Sequence, residues 1–228
     1  VYARTKSIGS LENLFIVADG MGGHQAGDFA SNFVVENLVR FFETPYPERD
    51  VHGILKEGIR KVNRDLYECT SRDPKLNGAG STLVLATIKG SVLYVANIGD
   101  SRLYLLREAL EQITKDHSYV EELVAMGKLK RGSRDYLEKK NIITRAVGVS
   151  AQVDTDLFAL KLKSGDQILM CSDGLSNMVD ELEIEYIIRS EDGVESRAKA
   201  LVDAANRSGG LDNISVVLVE PQISEVSL

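Results

Sequence analysis

Tryptophan is absent from the 228 residues, proline occurs four times and cysteine only twice. Cys69 and Cys171 are separated by about a hundred residues with no paired spacing, which excludes a disulfide framework or a zinc knuckle. Both are read as ordinary buried thiols in a reducing compartment. Histidine is scarce as well, at three residues. No apolar run reaches the roughly 18 residues that span a bilayer, and no signal-peptide pattern is present. A soluble, cytoplasmic protein is therefore expected. Basic charge is also in short supply: the net charge is −7, so neither nucleic acid nor an anionic membrane surface is an expected partner. The sequence starts at Val1 without a methionine, which reads as a processed or partial chain.

What is present is enough apolar material, 43%, for one domain with a packed core. Leu14 to Ala18 is a continuous apolar run that stops at Asp19-Gly20, the pattern of a buried strand. Phe29, Ala30, Phe33, Val34, Leu38 and Phe41 recur at helical spacing, as do Val51, Leu55, Ile59, Val62, Leu66 and Cys69. Leu83 to Ile88 and Val92 to Ile98 predict a hairpin across Lys89-Gly90-Ser91. Leu103 to Leu106 and Leu110 to Thr114 predict another, although Arg107-Glu108-Ala109 lacks the residues tight turns favour. Tyr119 to Asn141 is charged and weakly patterned, and is expected to pack lightly as an insertion. Strands are predicted at Phe158 to Leu162, Gln167 to Cys171 and Ile214 to Val219, and helices at Glu181 to Arg189 and Val194 to Arg207. Strand runs flanked by helix pairs argue for α+β with antiparallel sheets. One domain over residues 1–220 and a tail over 221–228 are expected.

Four aspartates stand where apolar runs begin or end: Asp19 before Gly20, Asp100 in Asn97-Ile98-Gly99-Asp100-Ser101-Arg102, Asp173 before Gly174, and Asp212 before Asn213-Ile214. Any one of them fits an Asx-turn or a helix cap. Four in one chain point elsewhere, because a carboxylate at a buried strand end is costly without a cation opposite. With few histidines, an oxygen-preferring ion such as Mg²⁺ or Mn²⁺ answers that need. Gly20-Met21-Gly22-Gly23 also invites reading as a phosphate-cradling loop, but neither G-x-x-x-x-G-K-[ST] nor a G-x-G-x-x-G inside a βαβ unit accompanies it.

In order, Asp19-Gly20-Met21-Gly22-Gly23-His24, Gly80-Ser81-Thr82, Asn97 to Arg102, Asp116-His117-Ser118, Ile143 to Gly148, Cys171 to Leu175 and Asp212 to Ser215 resemble the motif series of the PP2C family. These are metal-dependent Ser/Thr protein phosphatases, and Gly-Met-Gly-Gly is similar to the bacterial branch. The resemblance covers the chain from about Val1 to Val219. It implies a four-layer αββα sandwich with a metal cleft at one end. By that resemblance Asp19 would bridge two metals, the Gly20 carbonyl would ligate one, and Asp173 and Asp212 would complete the other. Asp100 with Asp173 would hold a third, weaker ion, and Tyr119 to Asn141 would be the flap tied to substrate choice. Asp19, Asp173 and Asp212 are the catalytic candidates.

The reaction implied is attack on phosphoserine or phosphothreonine by a water bridging two Mg²⁺ or Mn²⁺ ions, without a phosphoenzyme. A thiol mechanism is excluded, since the sixth residue after Cys171 is Asn177 and not arginine. The family's phosphate-binding arginine is expected upstream of Val1, and Arg4 does not match it by motif. Met21 stands where animal members carry a histidine proposed as general acid. His24 reads as a cap or packing residue at a helix start and His52 as a surface residue, and His117 reads as a turn residue, with help in setting the flap entry as the alternative. Arg102 and Arg145 read as partners of acidic groups and Ser81 and Thr82 as supporting residues. Phosphorylated proteins and a cognate Ser/Thr kinase are the expected partners of a monomer. The rivals are a silent phosphoprotein-binding domain of the same fold and a phosphatase of small phosphoesters.

Overall fold

The computed structural model describes residues 1–45, 50–190 and 192–223, except for the side chain of His24. The chain runs β1 (Tyr2–Arg4), β2 (Leu14–Val17), β3 (Gly20–Met21), α1 (His24–Glu43), α2 (Val51–Arg72), β4 (Gly80–Ser81), β5 (Leu83–Lys89), β6 (Val92–Ile98), β7 (Arg102–Leu106) and β8 (Leu110–Gln112). It continues with α3 (Tyr119–Ala125), α4 (Arg134–Lys139), β9 (Asp156–Lys161), β10 (Gln167–Cys171), α5 (Asp173–Ser176), α6 (Glu181–Ile188), α7 (Val194–Arg207) and β11 (Val216–Val219). One antiparallel sheet has the order β1-β2-β5-β6-β9, a second β11-β10-β7-β8, and β3 and β4 form a small pair of their own.

Alternation along the strands sorts their side chains into three layers. On β5, Leu83 and Leu85 turn toward α1 and α2, while Val84, Ala86 and Ile88 turn toward the other sheet. On β10, Ile168 and Met170 face the first sheet, whereas Leu169 and Cys171 meet Ile184, Ile188 and Leu201 of α6 and α7. Strands covered on both faces read as continuous apolar runs, which is why alternation is hard to see in them. The helices contribute stripes: Ala30, Val34 and Leu38 from α1, and Leu55, Ile59, Val62 and Leu66 from α2. Asp50 caps α2 by accepting from Gly53 N at 2.8 Å. The result is the αββα order expected.

Several expectations shift in detail. The β5–β6 hairpin closes on Gly90-Ser91, with Gly90 at φ +57°. The β7–β8 turn forms without glycine because Arg107 forks onto Asp166 at 2.8 and 2.7 Å. Asp166 is 2% exposed and also accepts from Lys163 N. Asp166→Ala would strand these donors, but Arg107 keeps a third of its side chain in water, so the cost expected is about 2 kcal/mol rather than that of a wholly buried pair. Thermal melting should fall by roughly 5 °C. Cys171 is buried, but Cys69 is only partly so. His52 is no surface residue: its Nε2 lies 3.2 Å from Phe158 O and its ring stacks edge-on against Tyr94. Ile223 still packs on the core between the sheets, past the Pro221 where a tail was expected to depart; residues 224–228 lie outside the described residues.

Candidate metal centre

Register brings the four aspartates to one end of the sandwich. Cys171, the last residue of β10, pairs with Val216 at the start of β11 and with Arg102 at the start of β7. Asp173, Asp212 and Asp100 therefore leave the second sheet at the same edge. β2 faces β10 and β11 across the inter-sheet core, which puts Asp19 opposite them.

Tight backbone approaches fix each turn. A Cβ on Gly174 would meet Asn213 O at 2.2 Å, so only glycine lets the Asp173 and Asp212 turns touch. Ser172 stitches those turns together, its Oγ donating to Asn213 O and accepting from Ser215 N, each at 3.0 Å. Gly174→Ala should spread the turns and lower turnover roughly 10²-fold, as misplacement of a reacting group by about an ångström does; steady-state phosphate release checks it. Thr82 N donates to Asp19 O at 2.8 Å, and Thr82 Oγ1 accepts from Asp19 N at 3.0 Å. Ser81 Oγ donates to the same Asp19 carbonyl. Thr82 Oγ1 also meets Ser101 Oγ at 2.7 Å, joining the Asp19 and Asp100 turns. Ser81 and Thr82 thus support the site, as expected. The Gly20 carbonyl lies against Gly27, where a side chain would crowd it.

The electrostatics show what this convergence demands. Burial first, then the charges of Asp173 and Asp212, push Asp19 up to about 7, so the carboxylates of Asp19 and Asp173 lie near enough to act on each other. Asp173 is raised by burial and by Asp212. Asp100 is pushed up to about 7 by burial, Asp173 and Asp116. Two carboxylates this close need a proton or a cation between them. Among the described residues no three His, Cys, Asp or Glu side chains are gathered tightly enough to cage a metal unaided. A hard ion such as Mg²⁺ needs no such cage, since one or two carboxylates with carbonyls and waters suffice. The donor set fits an ion of that kind.

Cys171 is buried with its thiol pushed up to about 12 by desolvation, which removes it as a nucleophile. Arg102 forks onto Asp116 and Arg145 pairs with Asp156, so both are tied to acids as expected. Sequence reasoning missed Asn177, which sits one helical turn after Asp173 and donates to Asp173 Oδ2 at 2.9 Å; the i, i+4 spacing was the available signal. It also missed Lys140, whose charge acts on Asp173. A cavity of about 150 Å³ lies between Asp100 and Asp173 and the flap residues Tyr136, Leu137 and Lys140. A larger one, about 810 Å³, is lined by Arg102, Asp116, His117, Glu121, Arg145 and Asp156. Asp19, Asp100, Asp173 and Asp212 are not in its lining.

An αββα sandwich with clustered acids at one end defines a class of metal-dependent hydrolase. The profile of Protein phosphatase 2C matches residues 4–208. Serine/threonine phosphatase stp of Listeria monocytogenes is 40% identical over 220 residues, covering 93% of this chain and 86% of that protein. The structure of the S. agalactiae serine/threonine phosphatase superposes with a TM-score of 0.87 at 35% identity, covering 92% of this chain and 88% of that one. The catalytic domain of the phosphatase PstP, solved with two manganese ions, superposes with a TM-score of 0.80 at 35% identity, covering 90% and 86%. The chain belongs to the protein phosphatase 2C family.

Proposed function

We propose that this chain is a metal-dependent protein serine/threonine phosphatase in which Asp19, Asp173 and Asp212 are the catalytic carboxylates. Convergence of the Asp19, Asp173 and Asp212 turns at one end of two facing sheets, close enough for their charges to act on one another, is the observation that carries the reading. Asp19 and the Gly20 carbonyl would hold Mg²⁺ or Mn²⁺ together with Asp173 and Asp212, and Asp100 with Asp173 would hold a third ion. When bound, such ions would make water a better nucleophile and neutralise charge on the phosphoryl oxygens. Asp19, held at backbone and carboxylate alike, fixes the position of that chemistry at the end of β2. Asp173 and Asp212, on stitched turns, keep the negative charge that draws cations in. Lys140 adds a positive charge beside Asp173 on the flap side, where a phosphoprotein would lie. The buried Cys171, its thiol pushed up to about 12, is not available as a nucleophile, in keeping with direct hydrolysis.

Residues 1–220 form the catalytic domain in this reading, acting as a monomer in the cytoplasm and opposing a Ser/Thr kinase. Among the described residues no helix is long and apolar enough to cross a membrane. The test compares phosphate release from phosphothreonine and phosphoserine peptides with release from a sugar phosphate, all in Mn²⁺. Faster turnover of the peptides is expected. Preference for the sugar phosphate would overturn the substrate class, and peptide binding without release would identify a silent phosphoprotein-binding domain.

A further inference from the structure

We propose that His117 is a positioning residue that latches the root of the flap to the turn carrying Asp100. The inference rests on the reading above that Asp100 helps to hold a cation.

His117 is 6% exposed, in a segment expected to be a turn. Its backbone N donates to Gly99 O at 2.9 Å, and Gly99 N donates back to its Nδ1 at 3.1 Å. These two bonds close a ring on the residue immediately before Asp100. A backbone N–H can only donate, so Nδ1 must present its lone pair and the neutral ring carries its proton on Nε2. Asp156 Oδ2 lies 3.1 Å from Nε2 and faces that proton, while Arg145 Nη1, which can only donate, stands 3.3 Å from the same nitrogen and is turned to Asp156 when Nε2 carries the proton. Asp156 is itself held by Arg145 Nη1 at 2.9 Å from Oδ1. Against the desolvation that would raise it, His117 and Arg145 together hold the Asp156 carboxyl below its ordinary range. Gly99 N–H thus sets the tautomer, and Asp156, held by Arg145, complements it at Nε2.

Gly99 has no freedom to compensate. Its φ is +98°, and a Cβ there would meet Thr82 Cβ at 2.8 Å. Two parallel ties run beside the latch: Asn97 Nδ2 donates to Lys115 O at 3.0 Å, and Arg102 forks onto Asp116. On the other side the His117 carbonyl accepts from Thr144 N at 2.8 Å, while Tyr119 N donates to Ile142 O at 2.8 Å. Both roots of the flap therefore meet at His117 and Ser118. The imidazole is buried and borders the larger cavity, not the one between Asp100 and Asp173. It acts through Gly99 on where Asp100 points.

Two substitutions separate the arms of the ring. Asparagine can place its amide oxygen near the Nδ1 position and still accept from Gly99 N–H, but it is too short for Asp156. Glutamine reaches Asp156 and leaves Gly99 N–H without its acceptor. Mn²⁺ is titrated calorimetrically into the metal-stripped full chain as wild type, His117→Asn, His117→Gln and Asp100→Ala, and the Gly99 amide resonance is followed by NMR without metal. Asp100→Ala should abolish the weakest Mn²⁺ binding event. His117→Gln should weaken that event roughly 10-fold or more, as loss of a ligand's supporting partner does, and should shift the Gly99 amide. His117→Asn should keep the event within about twofold of wild type. Wild-type binding by His117→Gln, or equal loss in His117→Asn and His117→Gln, would overturn the latch. Unchanged Mn²⁺ binding by Asp100→Ala would instead overturn the reading of Asp100 on which it rests.

Discussion

Asp19→Asn should abolish phosphatase activity and at the same time raise the melting temperature of the metal-free protein. Asparagine keeps the shape of the side chain and its oxygen acceptor toward the backbone, but removes one charge from a group of mutually repelling acids. The fold should gain about 1–2 kcal/mol, a rise of a few degrees. Activity with Mn²⁺ should fall by at least ~10³-fold, since phosphate hydrolysis is accelerated chiefly by stabilising the charge that develops in the transition state. A structural Asx-turn would accept asparagine with little change in either stability or rate. Melting curves with chelator beside steady-state rates with Mn²⁺ distinguish the two.

The stabilisation given by Mn²⁺ should grow as pH rises from 5 to 8. In the metal-free fold Asp19 and Asp100 titrate at about 7 instead of 3.8, so between those values the folded chain holds more protons than the unfolded one. Stability contributed by these groups therefore falls as pH rises through that window, by at most about 1.4 kcal/mol per pH unit for each. Access of water to the site reduces this ceiling. A divalent cation favours the ionised carboxylates and cancels the penalty. At a hundred times the dissociation constant one ion adds about 2.7 kcal/mol, roughly 5–10 °C for a chain of this length. Taking the difference between melting with Mn²⁺ and with chelator at each pH removes the contribution of other titrating groups. A shift that is larger at pH 5 than at pH 8 would count against a carboxylate site.

The long elements were legible because their patterns repeat. Ala30, Val34 and Leu38 mark a buried helix face, and Lys89 to Val92 reads as a hairpin from Gly90 alone. The strand ends were legible too, because an aspartate after an apolar run is chemically conspicuous. β3, β4 and α5 were not, since a two-residue strand cannot alternate and one turn of helix has no stripe. His117 was legible only as a turn residue with the flap entry as an alternative, because nothing local shows Gly99 and Asp156 closing around it. The convergence of Asp19 with Asp173 and Asp212 follows from strand register and the packing of two sheets, which no local pattern encodes.

Calorimetric titration of Mn²⁺ into the metal-stripped chain at pH 8, beside the double variant Asp173→Asn, Asp212→Asn, tests the central claim most directly. The wild type should bind at least two ions, and the double variant should lose at least one of them. Equal binding by both proteins, or no binding by the wild type, would show that these carboxylates are not a metal centre.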